Sequence, residues 1–190
     1  MSLEAIANLY ISKLRPRAQE ELEWFSQKPS LESAIEYAAL AVGRQGKRYS
    51  HQRRLTNISL KNARQLLLDN VELIAQAHNF EELLTLLEQI LAPVYGLSEL
   101  YIYDTALRIG AKLNLLPEKV YLHAGTREGA RILRLDWKAK ALPRNELPNE
   151  FQQLEPHEIE DILCIFKDQL KTTDLKKIEA ELKKNCWYSC

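Results

Sequence analysis

The stretch Asn79-Phe-Glu-Glu-Leu-Leu-Thr-Leu-Leu-Glu-Gln-Ile-Leu-Ala-Pro93 carries the start, the buried face and the stop of a helix in one reading. Asn79 followed three residues later by Glu82 has the form of a capping box, in which two side chains satisfy amides left without partners inside the helix. Leu83, Leu84, Leu87, Ile90 and Leu91 recur at the spacing of one helical face. Pro93 ends the run, because it has no N–H to give and its ring clashes with the preceding turn.

The same signals repeat in both directions. Ser2 precedes Leu3, Ile6, Leu9 and Tyr10, Pro16 breaks or kinks that run, and a second piece continues to Phe25. Ser30 precedes the stripe Leu31, Ala34, Ile35, Ala38, Ala39 and Val42, with Gly43 where a left-handed terminating residue belongs. A long helix is expected from Leu60 through Ala77, and another opens at Ser98. Pro117 is placed to begin a short helix that Gly125 ends, Thr126 to cap one running beyond Trp137, Pro156 to begin one through Leu170, and Thr173 to cap the last.

Nothing shows the sustained apolar and polar alternation of a half-buried strand. The expectation is an all-α chain, a compact multi-helix bundle of about eight or nine helices with no sheet. Residues 1–190 are read as a single domain with a long polar loop at 43–58 and a connector at 142–155.

With 46% hydrophobic and 27% charged residues, the composition is that of an ordinary globular chain. Lys plus Arg and Asp plus Glu each number 26, so no global field draws in nucleic acid or an anionic membrane, and any such affinity must come from local charge. No stretch approaches the roughly 20 apolar residues that span a bilayer, and Met1-Ser-Leu-Glu-Ala lacks the basic and apolar regions of a secretory signal. A cytoplasmic location without membrane partners is expected. Three cysteines, Cys164, Cys186 and Cys190, make no disulfide framework, and Cys186 and Cys190 lack a second half-site for zinc. His51, His78, His123 and His157 have no metal-ligand spacing, so neither a metal nor a cofactor is expected.

Local charge is concentrated in Arg44-Gln-Gly-Lys-Arg-Tyr-Ser-His-Gln-Arg-Arg54, inside a region from Tyr37 to Leu68 that contains no Asp or Glu. Arg44, Lys47, Arg48, Arg53 and Arg54, with His51 beside them, suit phosphate contacts, because guanidinium forks match phosphate oxygens. The competing reading is internal pairing with the acidic run Glu146, Glu150, Glu155, Glu158, Glu160 and Asp161.

The second candidate lies in Leu97–Lys112 and Val120–Ala130. Tyr101, Asp104 and Arg108 line one side of a helix whose other stripe is Ile102, Ala106, Ile109 and Leu113. Asp104 and Arg108 are four apart, at ion-pair spacing, and Gly110 inside a helix costs about 1 kcal/mol against Ala, which asks for a close packing contact in return. Gly125, Thr126 and Arg127 bring backbone amides to a helix start, a candidate anion seat, with His123 adjacent as the group suited to proton transfer near neutral pH. The structural alternative is a buried Asp104–Arg108 pair, with His123 hydrogen-bonded near a helix end.

The run Tyr121–Leu133 resembles the hairpin and second helix of helix–hairpin–helix DNA-binding modules, whose glycines precede a helix that holds DNA phosphate on its amides. His123 stands in place of the first glycine, Gly129 takes a small-residue position, and Ile132 and Leu133 fit apolar ones; the run is too short to assign the chain to that family.

The leading expectation is a nucleic-acid or polyphosphate-binding protein, with Arg44, Lys47, Arg48, His51, Arg53 and Arg54 as the charged patch and Gly125, Thr126 and Arg127 as a phosphate seat. The alternatives are a protein-interaction or regulatory module, homo-oligomeric or with a partner protein, and an enzyme whose small anionic ligand is held by Asp104, Arg108 and His123, in a pocket that Tyr101 would also line.

Overall fold

Side-chain caps start the helices where the sequence marks them. Ser2 accepts from the Ala5 amide, Ser30 from Ser33, Thr56 from Ser59, Asn79 from Glu82 and Ser98 from Tyr101. The Glu82 carboxylate reaches back to the His78 amide rather than to that of Asn79, so the box closes one residue early. These contacts come from a computed structural model that describes residues 2–171.

Within those residues the fold is all-α, with nine α-helices, four short 3₁₀ turns and a single two-residue strand pair. They form two compact units, residues 2–17 with 117–171, and residues 18–116. None of the helices among the described residues is long and apolar enough to cross a membrane. The helix expected after Thr173, and Cys186 and Cys190, lie outside the described residues.

The first unit contains α1 (Leu3–Lys13), the opening residues of α2 (Arg15–Ser26), β1 (Val120–Tyr121), α8 (Ala124–Ile132), β2 (Ala141–Leu142) and α9 (Pro156–Ile165). Its core joins Ile6, Tyr10, Val120, Leu142, Phe151, Leu154, Ile162, Leu163 and Phe166. Burying one such side chain contributes about 1.5–3 kcal/mol. The strand pair sets Val120 opposite Leu142 and Tyr121 opposite Ala141, and two residues are too few to show alternation in a sequence.

The second unit contains the rest of α2, α3 (Leu31–Ala39), α4 (Asn57–Asp69), α5 (Val71–Ala75), α6 (Phe80–Leu91) and α7 (Glu99–Leu113). α7 packs on α3 and α6, and α4 on α3 and α6, around Ile35, Leu60, Leu67, Leu83, Leu87 and Ile109.

Several boundaries differ from expectation for local reasons. The run 60–77 is two helices, because the Asn70 side chain donates to the Leu66 carbonyl at 2.8 Å and its backbone leaves helical geometry. The left-handed residue after α3 is Ala41 (φ 56), while Gly43 makes room for the Tyr49 ring. Pro117 opens no helix; the chain reaches β1, and α8 starts at Ala124 with His123 as its N-cap and Thr126 one turn inside. α8 ends at Ile132, followed by Arg134 at φ 59, so it stops short of Trp137. α9 ends at Ile165, and a separate 3₁₀ turn covers Gln169–Lys171. The ten residues between α7 and α8 leave no tight hairpin of the helix–hairpin–helix kind.

Two glycines set the helix approaches. Asn114 at φ 59 folds the chain back over the end of α7, and a Cβ on Gly110 would lie 2.3 Å from the Leu115 carbonyl oxygen. At the α8–α9 crossing, a Cβ on Gly129 would lie 2.2 Å from the Leu163 carbonyl oxygen. Backbone cannot swing aside as a side chain does, so Gly129→Ala is expected to lower stability by about 2–3 kcal/mol, the upper part of the overpacking range. Urea unfolding followed by circular dichroism measures it, and an unchanged midpoint would show that the crossing is not tightly constrained.

Candidate functional site

The loop 41–56 is built from the inside out. The amides of Gly43 and Tyr49 donate to Lys47 and Ala41 carbonyls at 3.0 Å each, with Gly46 (φ 70) at the tip. Arg48 spans the base, donating to the Leu55 carbonyl at 3.1 Å and to Asn57 Oδ1 at 2.6 Å. Tyr49 and Gln52 are buried, so the loop is anchored by side chains rather than merely tethered at its ends.

What anchors it is α7. Gln52 Nε2 donates to Asp104 Oδ2 at 2.6 Å, and Arg108 Nη1 donates to Gln52 Oε1 at 3.2 Å, so one amide bridges the acid and the base. His51 Nε2 lies 2.8 Å from Asp104 Oδ2. The Arg108 guanidinium lies 3.9 Å from the Tyr49 ring centroid, 3.5 Å from Glu21 and 3.7 Å from Asp104. Burial works against the charge of Arg108, but Tyr49, Asp104 and Glu21 outweigh it and its pKa is raised. Burial raises the Glu21 carboxyl, with Arg108 pulling the other way, and burial likewise raises the Tyr49 phenol.

Tyr101 points elsewhere, donating to the Ala39 carbonyl at 2.6 Å, and its phenol is pushed up to about 12 by burial. The side of α7 bearing Tyr101, Thr105 and Arg108 is buried, while Ile102 and Leu113 of the apolar stripe are only half-buried. Of the four residues read as one pocket, Tyr101, Asp104 and Arg108 belong to the second unit and His123 to the first.

The outward side of the loop carries the cations. Arg44 lies 3.4 Å from Glu20, both exposed, a pair of small energetic weight. Lys47, Arg53, Arg54 and Lys61 are exposed, with no ion pair among the described residues. Beside Arg54 an open groove of about 810 Å³ runs between the start of α4 and the turn after α6. Thr56, Ser59, Asn62 and Gln65 give it polar groups, and Ile58 and Tyr95 line it although they are 73% and 95% exposed. Ser59 Oγ donates to the Tyr95 carbonyl at 2.9 Å and ties the two rims together.

In the first unit the proposed anion seat is occupied by local structure. Thr126 is fully buried; the His123 amide donates to its Oγ1 at 2.7 Å, and that hydroxyl donates to the His123 carbonyl at 3.0 Å. Arg127 donates to the Trp137 and Ala139 carbonyls at 3.3 and 2.9 Å. A Cβ on Gly125 would lie 2.6 Å from Cys164 Sγ. The His123 ring meets Glu160 through Nε2, and the donor atoms of His123, Glu160 and Cys164 all lie within 4.8 Å of one another. The sequence signal for this group is the i, i+4 spacing of Glu160 and Cys164 on α9; its third member comes from another helix start and no spacing announces it.

Four members of the acidic run, Glu155, Glu158, Glu160 and Asp161, find partners in their own unit. Arg15 makes a two-pronged contact with Glu158 at 2.6 and 2.7 Å, Arg144 lies 3.5 Å from Glu155, and the Tyr10 hydroxyl donates to Asp161 at 2.6 Å. Around the basic loop, Glu20 pairs with Arg44 and Glu36 with the neighbouring Arg64, and both acids are in the second unit.

No protein-family model, curated protein or solved structure matches the chain.

Two tests follow from these groups. Arg108→Met leaves Glu21 and Asp104 facing each other without their cation, at an expected cost of about 3 kcal/mol, the lower end for breaking a buried pair because Gln52 and His51 still serve Asp104. Denaturant unfolding checks it, and the cost should shrink in acid as the carboxyls protonate. His157 on α9 is lowered from 6.5 by burial, with Glu158 and Glu155 opposing and Arg15 reinforcing the shift. The unfolded ring therefore takes its proton first as pH falls, so stability drops from about pH 6.5 downward. His157→Gln should flatten that decline relative to the parent; an identical pH profile would remove His157 as its source.

Proposed function

We propose that the protein binds nucleic acid or a comparable polyphosphate chain through the outward side of the 43–58 loop and the groove beside it. The observation that carries this reading is the set Lys47, Arg53, Arg54 and Lys61, exposed and unpaired among the described residues, with Arg54 lining a groove whose rim presents the 95% exposed Tyr95 ring. Cations track phosphates and release counterions, while an open aromatic face stacks a base whatever its sequence. That combination favours an unpaired strand, because a base inside a duplex offers no free face to Tyr95. His51 and Arg48 then serve as scaffold, and the phosphate contacts fall to Lys47, Arg53, Arg54 and Lys61. A cytoplasmic setting goes with this proposal.

Fluorescence anisotropy with labelled single- and double-stranded DNA and RNA, at low and near-physiological salt, is the direct test. Binding should weaken with salt, and Arg53→Glu with Arg54→Glu should reduce the log–log salt slope by about 0.7 for each single-strand phosphate that is no longer neutralised. Tyr95→Ala should cost about 1–3 kcal/mol for single strands if one base stacks there, with little effect on duplex. Salt-insensitive binding, or binding indifferent to the two arginine changes, would overturn the reading.

A further inference from the structure

Apart from the basic loop, the group with the most unspent chemistry is the convergence of His123, Glu160 and Cys164 in the first unit. Glu160 and Cys164 stand one turn apart on α9, and His123 is the N-cap of α8, fixed by the hydrogen bonds between its backbone and Thr126. The close contact of Gly129 with the Leu163 carbonyl sets the two helices at the separation that brings the three donors together.

An acid–histidine–thiol relay is one use for these residue types, but it needs the acid and the sulfur on opposite ring nitrogens. Two hydrogen bonds of about 3 Å on either side of an imidazole hold those atoms about 6 Å or more apart. Here sulfur and carboxylate oxygen lie within 4.8 Å of each other as well as of the ring, so the three converge on one point. Convergence, not a line, is the geometry of a coordinated ion.

We propose that His123, Glu160 and Cys164 bind one divalent ion of the zinc class, leaving a fourth coordination position open. The nitrogen, sulfur and carboxylate set suits zinc or cobalt, whereas magnesium and calcium ask for oxygen ligands throughout. Charge favours it too: a carboxylate and a thiolate balance a divalent ion, while His123 contributes as a neutral ring. His123 and Glu160 are 3% and 5% exposed, so an uncompensated charge there would be costly. Cys164 is half-buried, which leaves a way in for the ion and for a water at the open position. Among the described residues no fourth His, Cys, Asp or Glu joins the group.

Coordination takes up a lone pair of the neutral His123 ring and binds the Cys164 sulfur as a thiolate. The thiol proton leaves to solvent, so affinity rises with pH.

The test uses the full chain carrying Cys186→Ser and Cys190→Ser, so that Cys164 is the one thiol, stripped with chelator and titrated separately with Co²⁺ and Zn²⁺. The expected result is a thiolate-to-cobalt charge-transfer band saturating at one equivalent, weakening on acidification, and a Zn²⁺-dependent rise in unfolding temperature. Adding Cys164→Ser should abolish the band, and Glu160→Gln should weaken Co²⁺ by at least about tenfold, since losing even an outer-shell partner costs about 10–100-fold. Circular dichroism of each variant separates loss of a ligand from loss of fold. No charge-transfer band in the folded parent chain, or a band that survives Cys164→Ser, would overturn the proposal.

Discussion

In the first unit, the close approach of Gly129 to the Leu163 carbonyl decides what its neighbours can do. A helical glycine costs about 1 kcal/mol against alanine, so it persists where the close approach brings more in packing than that loss. With α8 set this near to α9, the start of α8 lies against the second half of α9. Gly125 then sits on Cys164, and the His123 ring meets Glu160. Thr126 is turned inward to hold the His123 backbone. A helix start that reads as an anion seat in isolation becomes, in this packing, the wall of a buried polar group.

The second unit solves a similar problem with a charge instead of a missing Cβ. Arg108 is 5% exposed, and its cation is balanced by the Tyr49 face, the Gln52 amide, Glu21 and Asp104. Two of those four partners belong to the loop, so satisfying the arginine and ordering the loop are the same event. The outward cations inherit that order. A loop already fixed gives up less conformational freedom when a ligand arrives, and more of the contact energy remains as affinity.

The parts of this arrangement legible in the sequence are the local ones. Caps at Ser2, Ser30, Asn79 and Ser98 lie within three residues of the amides they serve, and the apolar period of α6 needs only its own twelve residues. The Asp104–Arg108 pair is legible for the same reason, being one turn apart on α7. Its partners Gln52 and Glu21 are not, because they come from segments more than fifty residues away in sequence. Thr126 gives a cap's signal from the wrong position, since a hydroxyl at the third residue of a helix reaches the same backbone as one at its start. Asn70 splits a helix that apolar period alone carries straight through, because its side chain competes for the Leu66 carbonyl. Of the His123, Glu160 and Cys164 group only the i, i+4 spacing of Glu160 and Cys164 is legible, because His123 joins them only where α8 meets α9.

The formal charge of zero has less bearing on anion binding than it first suggests. At physiological ionic strength a charge is felt over about 8 Å, so a ligand samples the residues near its contact and not the sum over the chain. Between Tyr37 and Leu68 the sequence holds bases and no acids, the nearby Glu20 and Glu36 pair with Arg44 and Arg64 rather than with Arg53 or Arg54, and Glu155, Glu158, Glu160 and Asp161 are held by Arg144, Arg15, His123 and Tyr10 in their own unit. Neutralisation inside the fold, the strongest argument against a working basic surface, therefore applies to the carboxylates at 155–161 more than to the arginines at 53 and 54. What remains to oppose an incoming phosphate is the desolvation of those two guanidinium groups, and their exposure keeps that cost small.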